Sequence, residues 1–181
     1  MGRKMIVLGA VLLLFLVSLA PAVAAPTGWS DDVRLTFNGE ASSPAIAVNG
    51  SNIHVVWENL STPYDLFYRK SEDFGNSWST ERRLTNQSES GLPNNPAIVT
   101  NENTIHIVHE DDRNGVTLET YYLRSEDNGE TWTEESVISE FNDSFSEWPD
   151  IAVEGNNVYA VFGDERDGMY EIYFTRSFDG G

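Results

Sequence analysis

Short apolar runs of three to five residues, separated by polar and turn-forming residues, fill the chain from about residue 33 onward, and they recur in sets. Ala45–Val48, Ala97–Val99 and Ile151–Val153 predict a first strand in each set. Ile53–Trp57, Ile105–His109 and Val158–Phe162 predict a second, and Leu66–Lys70, Thr120–Arg124 and Ile172–Arg176 a third. Glu81–Thr85 and Glu135–Ser139 predict a fourth in the first two sets. The first and second runs are nearly continuous in apolar residues, as in sheets covered on both faces. The third runs are rich in Tyr and Phe, which favour strand over helix. No helical period interrupts the series.

The sets keep a nearly fixed step. Ser71 and Ser125 are 54 residues apart, and Ser125 and Ser177 are 52 apart. Pro44, Pro96 and Pro149 open each set, and Trp57, His109 and Phe162 each follow their Pro by 13 residues. A period near 50 with four short strands predicts one propeller blade per repeat. The fold class is therefore all-β, with about three blades of four antiparallel strands.

Each third run leads into one turn motif. The copies are Ser71-Glu-Asp73-Phe-Gly75-Asn-Ser77-Trp78, Ser125-Glu-Asp127-Asn-Gly129-Glu-Thr131-Trp132 and Ser177-Phe-Asp179-Gly-Gly181. The Asp can accept backbone N–H groups, the Gly supplies a positive φ, the hydroxyl closes the loop and the Trp packs it down. The pattern resembles the Asp-box, or BNR repeat, of sialidase-like β-propellers. The resemblance covers Val33 to Gly181 and implies a structural role for Ser71, Asp73, Gly75, Trp78, Ser125, Asp127, Gly129, Trp132, Ser177 and Asp179, at the periphery and away from any ligand.

Sialidases of that family use three Arg on the substrate carboxylate, an Asp acid/base, and a Tyr nucleophile assisted by a Glu. Their first catalytic Arg lies in an F/Y-R-I-P motif, which this chain lacks. Arg34 sits in Val33-Arg-Leu-Thr36, which repeats as Arg82-Arg-Leu-Thr85, a fourth strand. No catalytic residue is carried over. The same repeat makes Val33–Thr36 an expected outer strand without a sheet of its own. Rings typically hold roughly four to eight blades, so the expectation is about half of a six-bladed ring. Remaining blades or self-association would close it.

The start of the chain reads differently. Arg3 and Lys4 precede an apolar run over Met5–Ala20, and Ala22-Val-Ala24 offers a cleavage site. Residues 1–24 are read as a secretory signal peptide, 25–31 as a linker and 32–181 as the propeller segment, with blades at about 32–85, 86–139 and 140–181. A secreted or cell-surface location follows as an expectation. Without Arg3 and Lys4, nine bases face 29 acids. That balance disfavours nucleic acid and anionic membrane surfaces as partners. With no Cys, neither disulfides nor thiol chemistry enter. No cofactor is expected; Ca²⁺ is compatible with the acid excess but is not inferable from it.

Candidate chemistry concentrates in the loops between second and third strands. Asp111-Asp-Arg113-Asn-Gly115 and Asp164-Glu-Arg166-Asp-Gly168 share a pattern, and Glu58 opens the corresponding loop of the first set. With Glu40, Glu89 and Glu147 they should share the rim opposite the Asp-boxes. The ligand-binding candidates are Glu58, Asp111, Arg113, Glu147, Asp164 and Arg166. Converging Arg and carboxylates suit a carboxylated or hydroxyl-rich sugar. The competing reading pairs each Arg with its own Asp in a closed turn. His54 and His106 align with Tyr159, and His109 with Trp57 and Phe162, so these positions read as aromatic packing and not as metal ligands. Three functions remain: a glycan or surface-polymer binding module, the N-terminal portion of an exo-α-sialidase-type hydrolase, or an architectural repeat.

Overall fold

A computed structural model describes residues 28–85, 91–113, 115, 117–140 and 144–181. The expected leader over 1–24 and Glu89 lie outside the described residues, and residues 28–33 form no helix or strand. From Arg34 onward, all regular structure among the described residues is β. Strands β1 (Ala41–Asn49), β2 (Asn52–Asn59), β3 (Asp65–Ser71) and β4 (Arg82–Arg83) form one antiparallel sheet in that order. Strands β5 (Asn94–Asn101), β6 (Thr104–Asp111), β7 (Glu119–Ser125) and β8 (Ser136–Val137) repeat it. Strands β9 (Ser146–Glu154), β10 (Asn157–Asp164) and β11 (Glu171–Ser177) form a three-stranded third copy.

The first strands begin three to five residues earlier than their apolar runs suggest. A bulge carries each ladder through the Pro: the register shifts between Ser42 and Ala45, between Asn94 and Ala97, and opposite Val161–Gly163. The residue ahead of each Pro has positive φ, namely Ser43 at 46°, Asn95 at 45° and Trp148 at 55°. Polar residues and a Pro look like a strand's end, yet a bulge accommodates both.

The fourth strands are shorter than expected. Leu84 N donates to Leu66 O at 2.8 Å, but the next donor, Leu66 N, turns to Thr85 Oγ1 at 2.9 Å. The second sheet repeats this, with Thr120 N donating to Ser139 Oγ at 3.1 Å. A side-chain hydroxyl thus replaces the carbonyl and ends the ladder. Val33–Thr36 is not a strand, contrary to expectation. Its carbonyls serve side chains instead: Arg69 Nη1 donates to Leu35 O at 2.7 Å and Arg34 Nε to Thr36 O at 2.6 Å.

The sheets pack face to face. Val56, Leu66 and Tyr68 of the first meet Ile105, Ile107 and Leu123 of the second, all at most 2% exposed. Val108 and Tyr122 of the second meet Ile151 and Val158 of the third. The second sheet is covered on both sides, which is why its strands read as continuous apolar runs. The third sheet's counterparts of Leu66 and Tyr68, Ile172 and Phe174, are 80% and 58% exposed.

One arrangement recurs at each interface. His54 Nδ1 and the Tyr68 hydroxyl lie 2.7 Å apart and buried, and Trp132 of the second sheet meets the Tyr68 ring edge-on at 5.2 Å. Gly129 sits directly over that hydroxyl, with no room for a Cβ. At the next interface His106 and Tyr122 are 2.8 Å apart beneath Gly181. The third sheet replaces the pair by stacked Tyr159 and Phe174.

Candidate functional site

The loops divide between two rims. On one, each Ser-x-Asp-x-Gly turn bonds to the turn between the first two strands of its own sheet: Phe74 N donates to Ser51 O, Asn128 N to Asn103 O and Gly180 N to Asn156 O. On the other, the loops between second and third strands bond to the segments entering the first strands. Leu60 N donates to Glu40 O and Glu165 N to Phe145 O.

The turns of the first rim are held by hydrogen bonds among their own residues. Ser125 Oγ donates to Asp127 and accepts Gly129 N, each at 2.8 Å, and Asp127 accepts Thr131 N at 2.7 Å and its hydroxyl at 2.5 Å. Ser71, Asp73, Gly75 and Ser77 repeat the set, and Trp78 Nε1 donates to Gly75 O at 3.1 Å. Ser177, Asp179 and Gly181 repeat its first half. Bonds from the Thr131 hydroxyl and N–H hold the Asp127 carboxyl down at about 2. Ser125→Ala should cost about 1–3 kcal/mol, because buried Gly129 N loses its acceptor. Urea melts read this directly, and ligand binding should be unaffected.

On the opposite rim two of the expected turns are closed. Asp111 accepts Arg113 N and Nη2 at 2.7 Å each, and the same guanidinium reaches Glu135 at 2.8 Å and stacks over Tyr121 at 4.1 Å. Glu135 in turn meets buried His109 at 2.7 Å. Burial would raise the Glu135 carboxyl, but His109 and Arg113 outweigh it and draw it to about 2. Asp164 accepts Arg166 N at 2.8 Å and Nη2 at 2.6 Å, while Arg166 also reaches Glu140 and stacks over Tyr173. Both arginines are thus paired within their own turns and sheets.

A different group converges where the first strands begin. Glu58 is buried and accepts Ser42 Oγ and Asn95 N of the second sheet, each at 2.7 Å. Glu110, its counterpart, accepts Asn95 Nδ2 at 3.0 Å and the backbone N–H of Trp148 in the third sheet. Burial pushes the Glu110 carboxyl up, and the neighbouring Glu147 and Glu58 push it further. A chain of buried acids therefore joins successive bulges. The third sheet breaks the pattern: the position of Glu58 and Glu110 is Gly163. The indole of Trp148 lies on it, with a Cβ there only 3.1 Å from Trp148 Cε3. Trp148 is 59% exposed and meets Tyr170 at 4.8 Å between ring centroids, tilted by 48°. The Tyr170 hydroxyl donates to Glu147.

No family model matches the chain, and no curated protein matches it. Solved structures do. A β-fructofuranosidase of glycoside hydrolase family 32 from Bombyx mori superposes with a TM-score of 0.54 at 14% identity, over 78% of this chain and 33% of that one. A Hadza microbial sialidase gives 0.52 at 17%, over 78% and 32%. A family 117 glycoside hydrolase of the marine bacterium Zobellia galactanivorans gives 0.54 at 10%, over 77% and 53%. These sheets are β-propeller blades. The chain spans about a third to a half of the length of these neighbours.

Of the six candidates, Glu58 and Glu147 belong to the converging group. Asp111, Arg113, Asp164 and Arg166 form the two closed turns. Sequence reasoning missed Glu110, Asn95, Trp148, Gly163 and Tyr170. The signal was a broken column: Ser43, Asn95 and Trp148 align, as do Glu58, Glu110 and Gly163.

Proposed function

We propose that this chain is an exported glycan-binding propeller segment of the Asp-box, sialidase-like kind, and that it takes a glycan or surface polymer on the Trp148 rim. The observation that carries the reading is the departure of the third blade from its own repeat. Where two blades bury an acid, the third opens a floor at Gly163 and lays an exposed indole on it beside a second ring and a carboxylate. Aromatic faces with a few placed polar groups are what sugar rings require. The fold shared with glycoside hydrolases supports a glycan-related module. The pairing of Arg113 and Arg166 with their own carboxylates weighs against the reading as part of a sialidase.

Titration of the chain with a soluble glycan panel, read by intrinsic fluorescence and calorimetry, tests this. Trp148→Ala should weaken binding by about tenfold or more. Its effect on the melting temperature should be small, since the ring is largely exposed. Binding that survives Trp148→Ala intact would refute the reading.

A further inference from the structure

We infer that the Trp148–Tyr170 platform takes a protonated amino sugar, with the sugar face on the indole and its ammonium directed at Glu147. This rests on the glycan reading above and narrows it to one substrate class.

Most polar groups at the platform are already paired. The Glu147 carboxylate already receives the Tyr170 hydroxyl, and the Glu110 carboxylate beneath receives Trp148 N and Asn95 Nδ2. Apart from the indole N–H of Trp148, the donors at the platform are engaged, and what faces outward is mostly acceptor capacity on carboxylates. A ligand must bring its own donors. An ammonium brings three and no acceptor, which complements that surface. A neutral sugar brings hydroxyls that act as donor and acceptor alike, and it gains less.

Charge points the same way. Glu58 and Glu110 both accept from Asn95, and Glu147 holds the Tyr170 hydroxyl, so three acidic side chains gather around the platform. The cations of this rim are neutralised in place: Arg83 by Asp65, Arg113 by Asp111 and Glu135, Arg166 by Asp164 and Glu140. A carboxylated sugar would meet like charge without a guanidinium to receive it. The faces of Trp148 and Tyr170 carry negative quadrupole charge and attract a cation further.

Gly163 makes the arrangement available only in this blade. A Glu there, as at 58 and 110, would occupy the floor on which the indole lies. The platform is the product of one deleted side chain and one enlarged neighbour.

Calorimetry on the full chain at pH 6 tests the assignment. The probes are a glucosamine trisaccharide, its N-acetylated counterpart, cellotriose and sialyllactose. The glucosamine trisaccharide should bind about tenfold or more tighter than the others. Glu147→Gln should remove that preference by bringing the glucosamine trisaccharide down to the affinity of cellotriose, and Trp148→Ala should weaken both. Glu126→Gln, exposed on the opposite rim, should change nothing and controls for general attraction to an acidic protein. Equal affinity for cellotriose and the glucosamine trisaccharide, or a preference that persists in Glu147→Gln, would overturn the amino-sugar assignment while the glycan reading stands. Absence of binding by all four would overturn both.

Discussion

Between pH 6.5 and pH 4 the protein should lose stability on the order of 3 kcal/mol for each of two buried histidines. Burial pushes His54 and His106 down to about 4, with Lys70 adding to the effect on His54 and Arg124 on His106. The unfolded chain binds a proton at each imidazole near pH 6.5. The folded chain does not until about pH 4. Protons therefore favour the unfolded state throughout that window, and stability present above pH 6.5 is lost as pH falls through it. The shift of roughly 2.5 pH units at about 1.4 kcal/mol per unit gives the magnitude. Glu110 and Glu119, both pushed up by burial, act in the opposite sense and offset part of the loss. Urea melts at pH 7, 5.5 and 4 measure the loss. The double replacement His54→Tyr with Tyr68→Phe copies the third blade's Tyr159–Phe174 pair and should remove about half of the acid-induced loss. An unchanged acid limb in that variant would show that the histidines are not its cause.

Gly129→Ala should cost roughly 3–5 kcal/mol, among the largest effects of any single methyl in this chain. Two causes combine. At φ 83° a Cβ is strained whatever its surroundings, at about 1–3 kcal/mol. The new methyl also lands on the Tyr68 hydroxyl. That ring is 2% exposed and held by His54 and Trp132, so it cannot yield without disturbing the interface. Gly75→Ala separates the causes. Gly75 has nearly the same φ, 85°, but its nearest neighbour would be Ile53 at 3.5 Å. It should show the backbone part alone. Tyr68→Phe in the Gly129→Ala background should recover only part of the difference, because the ring's Cζ would still lie 2.9 Å from the new methyl. Equal costs at Gly75 and Gly129 would show that the contact between blades contributes nothing.

Periodicity carried most of the fold. The spacing of Pro44, Pro96 and Pro149 and of the Ser-x-Asp-x-Gly turns placed all eleven strands to within five residues, and β4 and β8 shrank because Thr85 and Ser139 supply side-chain oxygens in place of carbonyls. No run-length rule sees that substitution. Val33–Thr36 misled because identical letters, Arg-Leu-Thr, meet different partners in the two places. The site was less legible. Attention to repeated charge patterns led to Asp111–Arg113 and Asp164–Arg166, and repetition is the mark of a part that holds itself. The rim that departs from the repeat depends on one Gly replacing an acid and one Trp replacing an Asn. Neither carries a motif.

The pairing of a buried Tyr hydroxyl with the Gly of the following turn also sets a condition on what can follow a blade. A blade ending in Tyr68 or Tyr122 accepts only a successor with a bare backbone at that point. Phe174 offers no hydroxyl, so a successor there is released from the requirement. The interface works as an address between neighbours. Gly75, Gly129 and Gly181 all meet the condition, so any of these three blades can follow one that presents Tyr68 or Tyr122, and the address is lost only where that Gly gains a side chain.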